Sequence, residues 1–334
     1  MNKFLATVVL LTATALPEPA ASGPLNIPAD AVTTNALAQA HSALQAGEAA
    51  KALTLLQAVP QTGPNSAAAR NLECRVRFTL EQWNAAANAC AQAVNLEGDN
   101  SNYHMWLGRA VGEKAARASF LSAYSLAKQA RQEFETAVRL DPRNAEALSN
   151  LGEFYVDAPG IVGGGLDKAE SVALELDRID RASAAELRGR IAGANKDYTA
   201  QERDFKQAIA LSAHPSRGWA SLASFYRARK NWTQMQWAVR NCAMAAARDP
   251  HSGVALFNGA SVLMQANQDP ELAAKMLEDY LNSSSKTEEG PAFLAHIWLA
   301  HLKTELGDAA GAQQEQAAAR TLAGDYLPQK GFGR

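Results

Sequence analysis

The sequence predicts an all-α solenoid of antiparallel helix pairs, and three observations carry that prediction. A small residue recurs in a first helix at a spacing close to 34, from residue 40 to residue 300. β-branched alternation, the mark of strands, is nearly absent after residue 35. At 334 residues the chain exceeds the size at which one core keeps growing, yet hydrophobic residues make up 47% and aromatics only 7%. Many helices packed through small side chains fit that balance better than one large core.

The N-terminus reads as a separate segment. Lys3 precedes an apolar run over residues 4–16, followed by Pro17 and small residues up to Ser22. This is the basic, apolar and cleavage order of a secretory signal, with cleavage expected near Ala21 or Ser22. The run falls short of the ~20 residues a membrane span needs, which favours a signal peptide at 1–22 over an uncleaved anchor. Residues 23–34 form a proline-bearing linker, the repeat array fills 35–327, and 328–334 is a flexible tail.

Within the array the small residues are Ala40, Cys74, Gly108, Gly152, Gly189, Ala223, Gly259 and Ala300, at intervals of 34, 34, 44, 37, 34, 36 and 41. They predict about eight hairpins. Two helices cannot cross closely if both carry bulk at the crossing, so Ala40 should face Ala52, Cys74 should face Ala86, and Gly152 should face Ala169. Trp106, Tyr155, Phe205, Trp219 and Tyr226 fill the space between hairpins. Turns are expected at 46–48, 196–198, 229–232 and 306–308, and Asp141-Pro142 and Asp249-Pro250 stop second helices. Gln201 and Met235 are the least regular occupants of the second-helix alanine position.

A period of 34 with Leu151-Gly152, Tyr155 and Ala169, and with Trp106-Leu107-Gly108, Phe134, Ala137 and Asp141-Pro142, resembles the tetratricopeptide repeat family. The resemblance spans nearly all of the chain after residue 35. It implies a right-handed superhelix whose first helices line a concave groove that holds peptides or proteins. On that register Arg109, Glu113, Ser149, Glu153, Glu186, Arg190, Ser224, Arg227, Leu256 and His301 face the groove, with Leu263 and Ile297 extending an apolar end. The lysine, asparagine and arginine clamp of chaperone-binding relatives is not reconstituted by Asn150 and Arg109. The sequence also looks like exported bacterial repeat proteins of the envelope, and on fold alone like the helical components that accompany solute transporters.

Two insertions break the period. One, over 111–128, lengthens the third hairpin and carries Phe120 and Tyr124. The other, over 158–165, is APGIVGGG. Adjacent repeats stack, so both project from one edge and should touch. The glycine run is not a phosphate loop: no strand precedes it, and Leu166-Asp167-Lys168 follows where Lys and Ser/Thr belong. It is read as a connector with positive-φ glycines and Asp167 capping the next helix. The sharper reading joins Ile161 and Val162 to Phe120 and Tyr124 as one wall of a binding site.

Little else suggests chemistry. Lys+Arg 32 against Asp+Glu 34 gives no reason to expect nucleic acid or an anionic membrane surface as partner, and no segment after the signal reaches transmembrane length, so no stable membrane insertion is expected after cleavage. Six histidines lack metal-ligand spacing, and no nucleophile motif is present, so no cofactor and no catalytic residue are assigned. Cys74, Cys90 and Cys242 sit in small buried positions, and buried thiols are preferred over a Cys74–Cys90 bridge. Glu288-Glu289 reads as a charged turn. The expectation is a non-enzymatic periplasmic or secreted scaffold for a peptide or protein. The alternative is a small-ligand binder, or a transporter-associated component, using a pocket beneath the two insertions.

Overall fold

The computed structural model describes residues 29–249 and 251–324. The expected signal peptide, residues 23–28 of the expected linker, Pro250 and residues 325–334 lie outside those residues, and the array begins within the expected linker, because α1 already starts at Ala29. The described residues form sixteen α-helices and no strand. They pair as α1 (Ala29–Gln45) with α2 (Ala49–Gln57), α3 (Ser66–Thr79) with α4 (Trp83–Leu96), and α5 (Ser101–Arg117) with α6 (Phe120–Leu140). Next come α7 (Ala145–Asp157) with α8 (Leu166–Leu176), α9 (Arg181–Ala194) with α10 (Tyr198–Leu211), and α11 (Pro215–Ala228) with α12 (Trp232–Ala246). The last pairs are α13 (Gly253–Ala266) with α14 (Pro270–Asn282) and α15 (Ala292–Glu305) with α16 (Ala309–Ala323). Eight stacked hairpins make the predicted all-α solenoid. No helix among the described residues is long and apolar enough to cross a membrane.

One turn motif recurs. In hairpins one, two, five, six, seven and eight the loop residue Gly47, Glu81, Lys196, Lys230, Asn267 or Gly307 adopts positive φ. The residue after it donates its N–H to a carbonyl five positions back, as Glu48 does to Ala43 and Asp197 to Ala192. That closes the first helix and satisfies carbonyls left over at its end. Side chains then cap the following helix: Asp197 accepts from Ala200 N–H, Asn231 from Gln234 N–H and Asp308 from Gly311 N–H, each worth about 1 kcal/mol. The third and fourth hairpins, which carry the insertions, depart from this turn.

The small residues do make room at crossings. A Cβ on Gly108 would lie 2.6 Å from the Phe134 ring, one on Gly189 2.7 Å from Phe205, and one on Gly259 2.3 Å from the Met276 methyl. Gly152 differs from expectation. Its open side meets Leu187 of α9, at 2.4 Å from a built Cβ, not Ala169. The longer fourth turn lets the next hairpin's first helix take the space. Gly193 likewise makes room for the Gln201 amide, and Met235 is fully buried. Cys74 and Cys90 are joined by a disulfide across α3 and α4, with Cα atoms 5.1 Å apart, which corrects the expectation of free thiols. Both sulfurs do sit in buried small positions, and the close crossing that such positions create is what brings them within bonding reach. Cys242 is a buried free thiol.

The solenoid closes on itself. Helix α16 packs against α2, and the turn at Gly47 abuts the start of α15, where a Cβ on Gly47 would fall 2.4 Å from the Ala292 nitrogen. Phe293 is fully buried in the apolar core of the first two hairpins, among Leu44, Leu56, Leu72 and Val76, and Ala323 joins it there. Arg75 of α3 grips Glu288 with two hydrogen bonds, Nε to Oε2 at 2.9 Å and Nη2 to Oε1 at 2.5 Å. Glu289 pairs with Arg217 of α11. The segment 283–291 between α14 and α15 therefore spans the concave side, and Glu288-Glu289 is a strut instead of a solvated turn. Tyr280 holds that segment by accepting from Thr287 N–H and donating to the Gly290 carbonyl.

Candidate functional site

The two insertions meet at one edge. Helix α5 runs on to Arg117 and α6 begins at Phe120, so two long helices stand above the plain hairpins beside them. Phe120 and Leu121 in the first turn of α6 are each 82% exposed, and Tyr124 follows one turn later beside Lys128. After α7, Ala158 and Pro159 are extended and Gly160–Val162 makes one 3-10 turn. Gly163 has φ +97°, and its N–H donates to Gly160 O; Gly164 N–H donates to Pro159 O and Gly165 N–H to Tyr155 O. The loop folds this flat because side chains are missing where it turns: a Cβ on Gly164 would stand 1.8 Å from the Ala158 carbonyl oxygen, and one on Gly163 would strike Arg131 of α6. Asp167 does not cap α8. The N-cap is Gly165 and Asp167 lies in the first turn, where its charge still favours the helix N-terminus.

The loop buries Val162 and leaves Ile161 72% exposed. With Phe120 and Tyr124 these two residues line one cavity of about 960 Å³, so the four apolar residues singled out in the sequence are brought together. Arg109, Glu113 and Glu153, assigned to the groove from the sequence, line it too, whereas the aromatic floor and the far wall were not identified as parts of a site. Its floor is aromatic: Phe78 meets Trp83 and Trp106 edge-on, with ring centroids 5.1 and 5.6 Å apart, and Phe134 and Phe154 continue it. Its far wall is Glu288, Glu289, Pro291 and Leu294, delivered by closure from the last hairpin. Trp83, which opens α4, was the available signal for the floor. Nothing local signalled the far wall.

Arginines stack on the aromatic floor. Arg109 lies 4.6 Å from the Trp106 ring centroid and Arg117 lies 4.4 Å from that of Trp83. Arg109 also donates from Nε to Asn150 Oδ1 at 2.8 Å and pairs with Glu146 at 2.8 Å. Glu113 pairs with Arg117, one helical turn on. Glu153 and Asp157, one turn apart on α7, share Arg190 of α9 at 3.4 and 4.0 Å. Burial pushes the Glu153 carboxyl above its usual range; Arg190 opposes this, and Glu186 and Asp157 add to it. Arg109, Glu146, Glu153, Glu186 and Arg190 line a second space of about 520 Å³ that adjoins the apolar cavity through Arg109, Asn150, Glu153 and Glu289.

Other groove assignments fare differently. Arg227 lines neither space, and its Nε is buried without a hydrogen-bond partner. Leu256 and Leu263 belong to the core of the C-terminal hairpins, a correction: α13 is buried on more of its circumference than the slot register implied. Ile297 packs against the core of the first hairpins, because of closure. Three of the six histidines act as pins. His104 bridges Glu133 and the Gly98 carbonyl, His214 meets Asp249, and His296 meets Glu315. Among the described residues no three His, Cys, Asp or Glu side chains converge to hold a metal ion.

No protein-family model matches the chain, and no curated protein does. Solved structures with partial likeness include a thermophilic TPR protein of Thermus thermophilus, 18% identical, with a TM-score of 0.49 over 58% of this chain and 98% of that one. PilF of Pseudomonas aeruginosa is 15% identical, with a TM-score of 0.40 over 75% of this chain and 97% of that one. A tetratricopeptide repeat protein of Parabacteroides merdae is 12% identical, with a TM-score of 0.46 over 79% of this chain and 98% of that one.

Proposed function

We propose that the chain is a non-enzymatic binding scaffold of the bacterial periplasm that holds a peptide or protein partner at the edge built by its two insertions. One observation carries this reading. Two whole bulky side chains, Phe120 and Ile161, stand in solvent at the mouth of an aromatic-floored cavity that opens onto the concave side. Exposed apolar residues grouped around a concavity mark an interaction surface far better than scattered ones do. The polar groups nearby are engaged with one another in ion pairs and ring stacking, an arrangement suited to fixing a shape and not to moving protons or attacking a bond. The N-terminal segment and the Cys74–Cys90 bridge support an exported, oxidising location.

Photo-crosslinking in the native host tests this. A benzophenone amino acid at position 120 or 161 is expected to give a discrete adduct, whereas the same group at exposed Leu174, away from the cavity lining, gives none. Absence of any adduct at both edge positions would sink the proposal. A small-molecule occupant is the second reading, favoured by a cavity volume at the upper end of the range for ligand pockets. A reproducible added mass on the protein purified from its host and sprayed under native conditions would decide for it.

A further inference from the structure

The cavity's polar end says what kind of partner fits, given the proposed peptide-binding reading on which this inference rests. Its lining holds six carboxylates, Glu81, Glu113, Glu153, Asp157, Glu288 and Glu289, but a single arginine, Arg109. Four of the six are answered by arginines: Glu113 by Arg117, Glu288 by Arg75, Glu289 by Arg217 and Glu153 by Arg190. Arg109 makes its direct contacts with Glu146, Asn150 and the face of Trp106, and acts on Glu153 only by attraction from beyond ion-pair distance. Of the other two carboxylates, Glu81 belongs to the turn between α3 and α4, and Asp157 has only the Arg190 Nη2 that Glu153 already holds, at 4.0 Å, so two carboxylates one turn apart share one nitrogen of one guanidinium. An anionic occupant would add a third negative group at this end, at a cost. A cation would complete it.

We propose that the partner presents a bulky aliphatic or aromatic side chain to the cavity with a lysine or arginine next to it, and that Glu153 and Asp157 receive that cation. The apolar group lies against Trp83, Phe134 and Ile161, and burying it supplies most of the affinity. The cation sets the orientation and excludes acidic competitors. The raised protonation range of Glu153 agrees with a carboxylate short of compensation until its partner arrives.

Selection of random dodecapeptides displayed on phage against the purified full chain tests this directly. Enrichment of sequences with Lys or Arg within two residues of Phe, Trp, Leu or Ile is the expected result. For synthetic copies of the winners, the isosteric double variant Glu153→Gln with Asp157→Asn should weaken binding by roughly tenfold, the loss typical of one charge-assisted contact. Phe120→Ser and Ile161→Ser, both at exposed positions, should weaken it as well. Circular dichroism of each variant confirms the fold, and wild-type affinity falling with added salt gives a second measure that needs no variant. Winners that need Phe120 and Ile161 but show no basic preference, or an acidic one, would overturn the inference and leave the docking edge standing. Winners indifferent to Phe120 and Ile161, or no winners, would overturn both.

Discussion

Replacing Phe293 by alanine separates a closed superhelix from an open one. Phe293 opens α15 in the last hairpin, yet its side chain is fully buried in the core of the first two. Truncating a buried phenylalanine costs about 3–5 kcal/mol through lost transfer energy and the cavity left behind. In an open array that loss would fall on α15, α16 and the hairpin before them, because each repeat touches only its neighbours. Here it must also fall on α1 and α2, more than two hundred residues away in sequence. Native-state hydrogen exchange read by mass spectrometry resolves the two cases. Peptides from Ala29–Gln57 should lose about two to three and a half decades of protection, the loss that about 3–5 kcal/mol corresponds to at about 1.4 kcal/mol per decade. Unchanged protection across α1 and α2, with loss confined to α13–α16, would refute closure as a source of stability.

Three further outcomes are expected. Reducing the Cys74–Cys90 bridge, which spans 16 residues, should cost about 3 kcal/mol in denaturant unfolding. Under native oxidising conditions a thiol reagent should label nothing, since burial pushes the Cys242 thiol up to about 12, and one site should appear on denaturation. The Asp249 carboxyl is held down to about 2 by hydrogen bonds from the Ser252 hydroxyl, the His251 backbone N–H and His214. A depressed folded value means this contribution is complete above the ordinary carboxylate range and is lost as pH falls through about 2. NMR titration of the 251–252 amides should show that midpoint in wild type and none in Asp249→Asn; a midpoint near 4 in wild type would contradict this hydrogen-bonding geometry.

Much of this was legible because the rule that writes the repeat is local. Two helices crossing closely need one small residue, so Gly108, Gly189 and Gly259 announce their hairpins whatever the rest of the chain does. The insertions were legible as interruptions of the period, and their contact followed from stacking. Other features answered to more than one reading. Cys74 and Cys90 in small buried positions favoured free thiols over a bridge, because the interhelical distance that decides between them is not written in the sequence. Leu256 and Leu263 read as groove residues because α13 is apolar around most of its surface, which blurs the boundary between core and groove faces. Closure was invisible for a different reason: it is the sum of seven inter-hairpin rotations, and no residue encodes a sum. Glu288 and Glu289 look like any acidic turn until the arginines opposite them, 213 and 72 residues away, are in view.

The strut has a mechanical meaning. A helical spring with free ends changes its pitch and bore under small loads, since each coil adds a little give. Here Phe293, Ala323 and the Arg75–Glu288 pair weld the last coil to the first. The welded coil cannot widen without breaking that joint, so the bore at the aromatic floor has one gauge. A partner must match it, and a mismatched one meets the stiffness of the whole turn and not that of one hairpin.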